Sequence, residues 1–261
     1  MITRAVVGFL VACAIVLAGS RAGWLTRGGA VAALVVGTVS VGAGWSWGAL
    51  VIAFFVTSSA LSQLRASTRA QRTNGIVAKG GARDAAQVLA NGGLFTLAAL
   101  LSLLAPWDGW MALGAGALAA ATADTWGTEI GTLAAAPPRL ITTWQAVPAG
   151  TSGAVTPEGL LASAAGAIFI ALVIWLLHWP TGATIAAVAG GVAGALTDSL
   201  LGALWQARRW CARCDIATER AVHSCGAPTR HSGGLAWLDN DGVNFLSGAA
   251  GAAVGLLLVL Q

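Results

Sequence analysis

Charged residues are scarce in this chain. They make up 9% of its 261 residues, and Lys79 is the only lysine among fourteen basic residues. A soluble domain normally carries about 25% charged residues, so this scarcity excludes an ordinary soluble protein. The 57% of hydrophobic residues and the mean hydropathy of +0.77 indicate an integral membrane protein instead.

Cysteine is also scarce, and three of the four cysteines lie close together. Four are too few, and too clustered, for the disulfide scaffold of a secreted protein. Cys211 and Cys214 are followed by His223 and Cys225, a spacing that resembles a small structural zinc site. The alternative is a set of reduced, unliganded thiols in the cytosol. If zinc binds, we expect it to clamp the loop and not to act in catalysis.

Long apolar stretches take the place of charges. A helix needs about 20 apolar residues to cross a hydrocarbon core of about 30 Å. The hydropathy pattern predicts an all-α, polytopic transmembrane bundle of about eight spans. These cover residues 5–20, 28–44, 47–64, 84–105, 109–132, 157–178, 182–206 and 238–260. We interpret the first stretch as a span and not a signal peptide, because seven more follow and no good cleavage site does.

Basic residues are distributed very unevenly about these spans. Eight spans put thirteen of the fourteen on one side of the membrane and leave only Arg4 on the other. Because cytoplasmic loops are enriched in Lys and Arg, the basic side is predicted to be cytoplasmic and both termini to lie outside. The long polar loops that then face the cytoplasm are 65–83, 133–156 and 207–237.

Six of the ten carboxylates lie at or inside the edges of apolar segments. They occur in RDAAQVLAN (83–91), ADTWGTEIG (123–131), TDSLLGA (197–203) and WLDNDGVNF (237–245). An acid at membrane depth costs roughly 2.5–3.5 kcal/mol and usually faces a polar cavity, an ion path or an active site. The predicted topology brings all four stretches to one membrane face. We therefore predict a single site beside the cytoplasmic loops.

The first of these stretches places three polar side chains on one helix face. Arg83, Gln87 and Asn91 are four residues apart, so they line up along a helix. Asp84 lies beside that face, where it serves either as a helix cap or as part of the site. A cap does not explain Asn91, since an amide two turns inside the membrane needs a polar partner.

The second and third stretches contain candidate metal ligands. Asp124 and Glu129, with Thr128 between them, offer oxygen donors of the kind that Mg²⁺ prefers together with phosphate and water. Asp198, followed by Ser199, is a further metal or base candidate. The alternative is that these groups only extend to the polar interface.

The last stretch and a glycine-rich loop add candidate substrate-binding groups. Asn240, Asp241 and Asn244 lie near a helix start, where one acid could be a plain cap. The loop VPAGTSGAV (147–155) precedes a helix, and such turns present backbone N–H groups to anions. Its candidate phosphate-binding residues are Gly150, Thr151, Ser152 and Gly153.

The motifs occur in a recognisable order. QVLANGG, ADTWGTEIG, LITTWQAVPAGTSGAV, LTDSLLGALWQ, the Cys/His stretch and WLDNDGVNF resemble the integral-membrane family that includes the plant chloroplast phytyl-phosphate kinase of vitamin E synthesis and an animal transmembrane protein. The motif match covers about residues 83–250, and residues 1–64 match only in hydropathy. We interpret 1–261 as one transmembrane domain.

The resemblance implies phosphoryl transfer from a nucleoside triphosphate to a polyprenyl monophosphate such as phytyl or geranylgeranyl phosphate. Related membrane kinases use CTP, which is therefore the expected donor. Residues and resemblance together assign Mg²⁺ to Asp124, Glu129 and Asp198, and the phosphates to Arg83 and Arg139. The remaining polar candidates would hold substrate oxygens or water. We expect a bacterial inner-membrane protein with its site at the cytoplasmic face. The sequence does not imply a nucleic-acid partner, and it is compatible with an oligomer.

Two rival functions use the same observations. A cytidylyltransferase acting on a lipid phosphate needs the same metal and nucleotide site, but it releases pyrophosphate where a kinase releases a nucleoside diphosphate. An ion-coupled transporter also contains buried acids and glycine-broken helices. Against a transporter, the acids cluster at one face and not near the midplane, and the sequence has no evident internal repeat.

Overall fold

The computed structural model describes residues 2–73 and 75–260, most of which are helical. The helices are α1 (Ile2–Arg21), α2 (Arg27–Ala43), α3 (Trp45–Gln63), α4 (Ala66–Arg72), α5 (Ala85–Leu104), α6 (Asp108–Gly131), α7 (Pro157–Leu176), α8 (Thr181–Leu204) and α9 (Asn240–Leu257). The strands are β1 (Arg139–Leu140), β2 (Ala154–Val155), β3 (Arg208–Cys211), β4 (Ile216–Thr218) and β5 (Arg230–Gly233).

The long helices follow the predicted apolar segments. Eight helices of the described chain begin and end within three residues of the eight predictions. Five of them (α1, α3, α5, α7 and α8) are long and apolar enough to cross a membrane by length and composition. Membrane crossing by all eight, and their orientation, stay predictions.

The predicted loops contain structure that an all-α description misses. A two-stranded sheet pairs β1 with β2, and a three-stranded antiparallel sheet has the order β4-β3-β5. The helix α4 lies in the first of the three long polar loops, 65–83. These elements were not predicted because strands of two to four residues and a helix of two turns are too short to show a hydrophobic period.

Helix α6 lies at the centre of the bundle, packed against α5, α7, α8 and α9. Twelve of its 24 residues are buried, and all but two of these are glycine or alanine. A Cβ at Gly251 would come within 2.6 Å of the Gly116 carbonyl oxygen and 2.8 Å of the Gly190 carbonyl oxygen. Small residues allow such close backbone approach between membrane helices, and here they bring the polar ends of α6, α8 and α9 together.

Three helices that carry site residues begin at a capping side chain. Asp84, Thr156 and Asp239 each accept a hydrogen bond from the backbone N–H three residues later, at 2.9, 3.0 and 3.0 Å. Such a bond satisfies one of the free N–H groups at a helix start. Capping thus sets where α5, α7 and α9 begin, and with it the position of the side chains in their first turns.

Candidate active site

A polar cavity of about 270 Å³ opens between the ends of α5, α6, α8 and α9 and the loop before α7. It contains most of the polar residues that the sequence analysis selected. Those lining it are Arg83, Gln87, Asn91, Asp124, Thr128, Glu129, Gly150, Thr151, Ser152, Gly153, Asp198, Ser199, Asn240 and Asn244. The structure therefore brings parts of all four acidic stretches and the glycine-rich loop to one place, while the roles of these residues stay predictions.

The cavity contains two neighbouring carboxylates on different helices. Asp124 of α6 and Asp198 of α8 lie close enough to share a hydrogen bond. Oδ2 of Asp198 is buried and has no hydrogen-bond partner in the described chain. Two carboxylates this close repel each other unless a proton or a cation compensates them. This donor set, oxygen atoms facing a polar cavity, fits a hard cation such as Mg²⁺.

Glu129 differs from these two acids because it already has partners. Its Oε1 accepts a hydrogen bond from Ser62 at 2.7 Å, and its Oε2 forms an ion pair with Arg69. Arg69 also donates to the carbonyl oxygen of Ser62 at 2.5 Å. Glu129 therefore joins the end of α6 to α3 and α4. It was predicted to bind metal with Asp124 and Asp198, but the structure gives its carboxylate a protein cation instead.

Asp84 and Asp241 lie outside the cavity lining and share one cation. The Lys79 ammonium group pairs with Asp84 at 2.8 Å and also forms an ion pair with Asp241. Asp84 and Gln87 complete a reciprocal capping box at the start of α5. The structure thus gives both acids a role in folding, and their assignment to the substrate site stays a prediction.

Arg83 faces the cavity without a protein partner for its charge. Within the part of the chain that the structure describes, its guanidinium forms no hydrogen bond or ion pair. Instead, the guanidinium carbon lies over the Phe54 ring, 5.8 Å from the ring centroid, in a cation–π contact. Burial lowers the pKa of Arg83 and the negative charge of Glu129 opposes this shift. An arginine stays protonated in proteins, so the cavity contains a cation that is free to bind an anion.

Arg139 does not reach the cavity. Its guanidinium is exposed and donates a hydrogen bond to the Trp144 carbonyl oxygen at 2.7 Å, which holds it within its own turn. This arrangement does not support the predicted role of Arg139 in binding phosphate, which stays a prediction.

The glycine-rich loop packs tightly against α8. Gly150 and Gly153 have positive φ angles of 89° and 75°, which favour glycine. A Cβ at Gly202 of α8 would lie 2.8 Å from the backbone nitrogen of Gly153. In the described chain, no backbone carbonyl or side chain accepts from the N–H groups of Ser152 and Gly153. Both residues line the cavity, so these N–H groups are candidates for binding an anion there.

The asparagines lie at different heights along the cavity wall. Asn91 is two turns into α5, where its amide donates to the Gln87 carbonyl oxygen at 2.9 Å; this answers the need for a polar partner. Asn240 is the first residue of α9 and Asn244 lies one turn later. All three line the cavity, so their side chains can reach oxygen atoms of a ligand placed between α5 and α9.

Sequence reasoning missed Glu219, a buried acid at the cavity wall. Its carboxylate accepts from Ser152 Oγ at 2.5 Å, from Gln206 Nε2 at 2.8 Å and from the Ala78 N–H at 3.2 Å. Burial raises its pKa, although these hydrogen bonds oppose the shift. No signal in the sequence pointed to this, because Glu219 is one of two acids in a basic loop and nothing near it indicates burial.

The four Cys/His candidates lie together outside the cavity lining. The ligand atoms of Cys211, Cys214, His223 and Cys225 are all within 4.8 Å of one another. A hydrogen bond with His223 lowers the pKa of Cys225 to about 6, whereas a hydrogen bond with Cys225 raises that of Cys214 to about 11. The loop therefore holds a compact group of soft ligands.

Comparison with known proteins places the chain among membrane proteins. The family described as integral membrane protein DUF92 matches residues 10–252. Protein PGR of Arabidopsis thaliana is 32% identical over 85% of each chain. An uncharacterised membrane protein of Methanocaldococcus jannaschii is 32% identical over 78% of this chain and 84% of its own length. The match includes most of the three N-terminal helices, which had resembled the family only in hydropathy.

A chloroplast protein of Arabidopsis thaliana, VTE6, is also similar. It is 27% identical to this chain over 90% of this chain and 65% of its own length. No solved structure matches the chain.

Proposed function

The chain belongs to the DUF92 family of integral membrane proteins, and we propose that it is a membrane kinase. The proposed reaction moves a phosphoryl group from a nucleoside triphosphate, with CTP favoured, to a polyprenyl monophosphate such as phytyl or geranylgeranyl phosphate. Its products are the prenyl diphosphate and a nucleoside diphosphate. The motifs that resemble the phytyl-phosphate kinase family, and the similarity to chloroplast VTE6, support this reaction class.

The observation that carries the proposal is that the polar cavity adjoins an apolar groove. The groove, about 60 Å³ in volume, lies between α1, α2, α3 and α5 and is lined mainly by aliphatic and aromatic side chains. Arg83, Gln87 and Asn91 line both the groove and the cavity. This arrangement suits an amphiphile whose anionic head enters the cavity while its hydrocarbon tail lies between helices.

The cavity residues would bind the phosphate groups by charge and by backbone N–H groups. Asp124 and Asp198 would hold Mg²⁺, and Arg83 would bind the acceptor phosphate where cavity and groove meet. Ser152 and Gly153 would donate their N–H groups to the nucleotide phosphates. The metal ion would neutralise the negative charge on the phosphoryl group in transfer.

In the transfer step the protein mainly has to position the two phosphate groups. An oxygen of the prenyl phosphate bonds to the γ-phosphorus as the bond from that phosphorus to the bridging oxygen breaks, and the nucleoside diphosphate leaves. No strong general base is needed, since the acceptor phosphate is already an anion near neutral pH. Phosphoryl transfer depends mainly on positioning and charge stabilisation. We assign the positioning of substrate oxygens to Asn91, Asn240 and Asn244.

The location of the site is part of the proposal. We place the cavity at the cytoplasmic face of a bacterial inner membrane, where nucleotides are available. The uneven distribution of basic residues supports this orientation, because positive loops stay in the cytoplasm.

A product assay tests the reaction. Purified protein in detergent receives Mg²⁺, one of CTP, ATP, UTP or GTP, and phytyl or geranylgeranyl monophosphate. We expect acceptor-dependent release of nucleoside diphosphate together with a prenyl diphosphate, and loss of both products in Asp124→Asn. The matched control is Asp108→Asn, which changes an exposed acid at the opposite end of the same helix and should keep full activity.

The other outcomes separate the rival functions. Pyrophosphate release in place of nucleoside diphosphate would move the assignment to nucleotidyl transfer. No turnover by folded protein with any donor and a range of prenyl phosphates would favour ion-coupled transport. Full activity in Asp124→Asn would remove the proposed role of the carboxylate pair.

A further inference from the structure

The Cys/His loop folds so that its four candidate ligands meet. Strand β3 ends at Cys211, and Cys214 lies in the turn that leads into β4. His223 and Cys225 follow in the next turn, which closes through a hydrogen bond from the Gly226 N–H to the His223 carbonyl oxygen at 2.9 Å. The antiparallel pairing of β3 with both β4 and β5 brings the two turns to one end of the small sheet.

The sulfur atoms are spaced as metal ligands and not as a disulfide. Sγ of Cys211 and Sγ of Cys225 are 3.7 Å apart, whereas disulfide sulfurs are about 2.05 Å apart. Two thiolates bound to one tetrahedral Zn²⁺, each at about 2.3 Å from the metal, lie about 3.8 Å from each other. All four ligand atoms fit within 4.8 Å of one another, so one ion can contact them all.

Two of the four ligands are buried, and the other two are partly or fully exposed. Cys211 is fully buried and His223 is 7% exposed. Nδ1 of His223 lies 3.4 Å from the Cys225 backbone nitrogen, whereas Nε2 lies toward Gly75 and has no hydrogen-bond partner among the described residues. Three sulfurs and one imidazole with no open position form the donor set of a structural zinc site.

The same loop forms part of the wall of the candidate active site. Thr218 donates through its hydroxyl to the Gly75 carbonyl oxygen at 2.5 Å, and the Glu219 N–H donates to the Ile76 carbonyl oxygen at 2.8 Å. Arg220 donates through Nε to the Val77 carbonyl oxygen at 2.8 Å. Residues 218–220 thus form a row of bonds to segment 75–77, only a few positions before His223.

We propose that Cys211, Cys214, His223 and Cys225 bind one structural Zn²⁺, and that this ion holds Glu219 against the cavity. The metal joins the β3–β4 turn to the following turn, so the segment between them is fixed at both ends. Glu219 then stays bound to Ser152 of the glycine-rich loop. This proposal is independent of the kinase assignment.

Metal analysis of the full-length protein tests the first part. Protein purified in detergent without chelators should contain about one Zn²⁺ per chain. Replacement by Co²⁺ should give the absorption bands of a tetrahedral thiolate site. Zinc-free protein that develops no such bands with Co²⁺ would overturn the proposal, and this readout needs neither activity nor a variant.

Cysteine variants locate the site. Cys214→Ser changes an exposed cluster residue, whereas Cys13→Ser changes a cysteine in α1. We expect Cys214→Ser to lose most of the zinc and the cobalt bands, and Cys13→Ser to keep both. Retention of full metal content by Cys214→Ser, or equal loss by Cys13→Ser, would contradict the assignment.

Hydrogen exchange tests the link to the cavity. Removing the metal from wild-type protein with a chelator should speed amide exchange in residues 75–78 and 216–220, because their mutual hydrogen bonds loosen. Exchange in α2, which packs mainly against α1, α3 and α5, should stay unchanged and serves as the internal control. Unchanged exchange in both segments after confirmed metal loss would refute the proposed hold on Glu219.

Discussion

Two pairs of aspartates meet across helix ends in this protein, and only one pair has a protein cation. Asp84 and Asp241 lie where α5 approaches α9 and share the Lys79 ammonium group. Asp124 and Asp198 lie where α6 approaches α8, and no ion pair involves either of them in the described chain. The first pair is balanced by the fold, whereas the second leaves negative charge facing a cavity.

The contrast extends to the basic residues. Arg69 is paired with Glu129 and Arg139 with a carbonyl oxygen, but Arg83 has no such partner within the described residues. Residues that looked alike in the sequence therefore divide into two groups. Charges that the fold balances hold helices together, and those that it leaves unbalanced are the ones available to a metal ion and an anionic substrate.

The largest effect is expected at the unbalanced aspartate pair. Asp198→Asn should lower the transfer rate by about 10²–10³-fold, because a bound metal supplies several kcal/mol of charge stabilisation. It should not lower the melting temperature of metal-free protein, since it removes repulsion between two carboxylates. Steady-state rates and thermal unfolding in detergent measure the two effects. A large loss of stability with activity retained would reverse the roles assigned to the two pairs.

A smaller effect on activity is expected at the unpaired cation. Arg83→Gln should raise KM for the prenyl phosphate by about 10- to 100-fold, since hydrogen bonds to charged groups contribute about 1.5–3 kcal/mol. Arg139→Ala is the matched control and should leave KM unchanged, because Arg139 is bound in its own turn. Equal effects of the two substitutions would show that the contrast between paired and unpaired arginines has no functional meaning.

The smallest effect is expected at the balanced pair and concerns stability. Lys79→Met should lower the free energy of unfolding by about 1–2 kcal/mol, because the partly exposed Asp84 and the buried Asp241 lose their shared cation. Asp241→Asn in the same chain should restore part of this loss. Denaturation of the purified protein measures both values, and an unchanged stability in Lys79→Met would mean that the bridge contributes nothing.

The pH dependence gives a further check on this bridge. Burial lowers the pKa of Lys79, but hydrogen bonds to Asp241 and Asp84 outweigh burial and raise it above its ordinary value of 10.5. A base whose pKa is higher in the folded than in the unfolded protein stabilises the fold at pH values below the unfolded-state pKa. This stabilisation is lost as the pH rises through the folded-state pKa. The difference between wild type and Lys79→Met should therefore stay constant from about pH 7 to 9 and shrink above about pH 10.5.

The helices and the position of the polar stretches followed from local patterns. Apolar length predicted eight helices to within three residues, and a capping pattern allowed for Asp84 at the start of α5. The four Cys/His candidates could be selected because their spacing is typical of zinc sites. Each of these features depends on residues close together in the chain, and so a single sequence contains them.

The partners of the charged residues could not be predicted in the same way. Lys79 and Asp241 are 162 positions apart, and Lys79 entered the sequence analysis only as one basic residue among fourteen. Glu129 looked like a metal ligand until α4, a helix too short to predict, placed Arg69 beside it. Glu219 gave no signal, because its burial depends on a loop that folds back over the cavity.

The sequence by itself determined that this is a membrane protein, where its long helices lie and that its acids gather at their ends. Hydropathy and capping are properties of residues close together in the chain, and they do not depend on how the helices pack. Only the tertiary structure decided which acid has a cation and which does not. That outcome depends on which helix ends meet, and close contacts at Gly116, Gly190 and Gly251 bring α6, α8 and α9 together so that Asp124 faces Asp198.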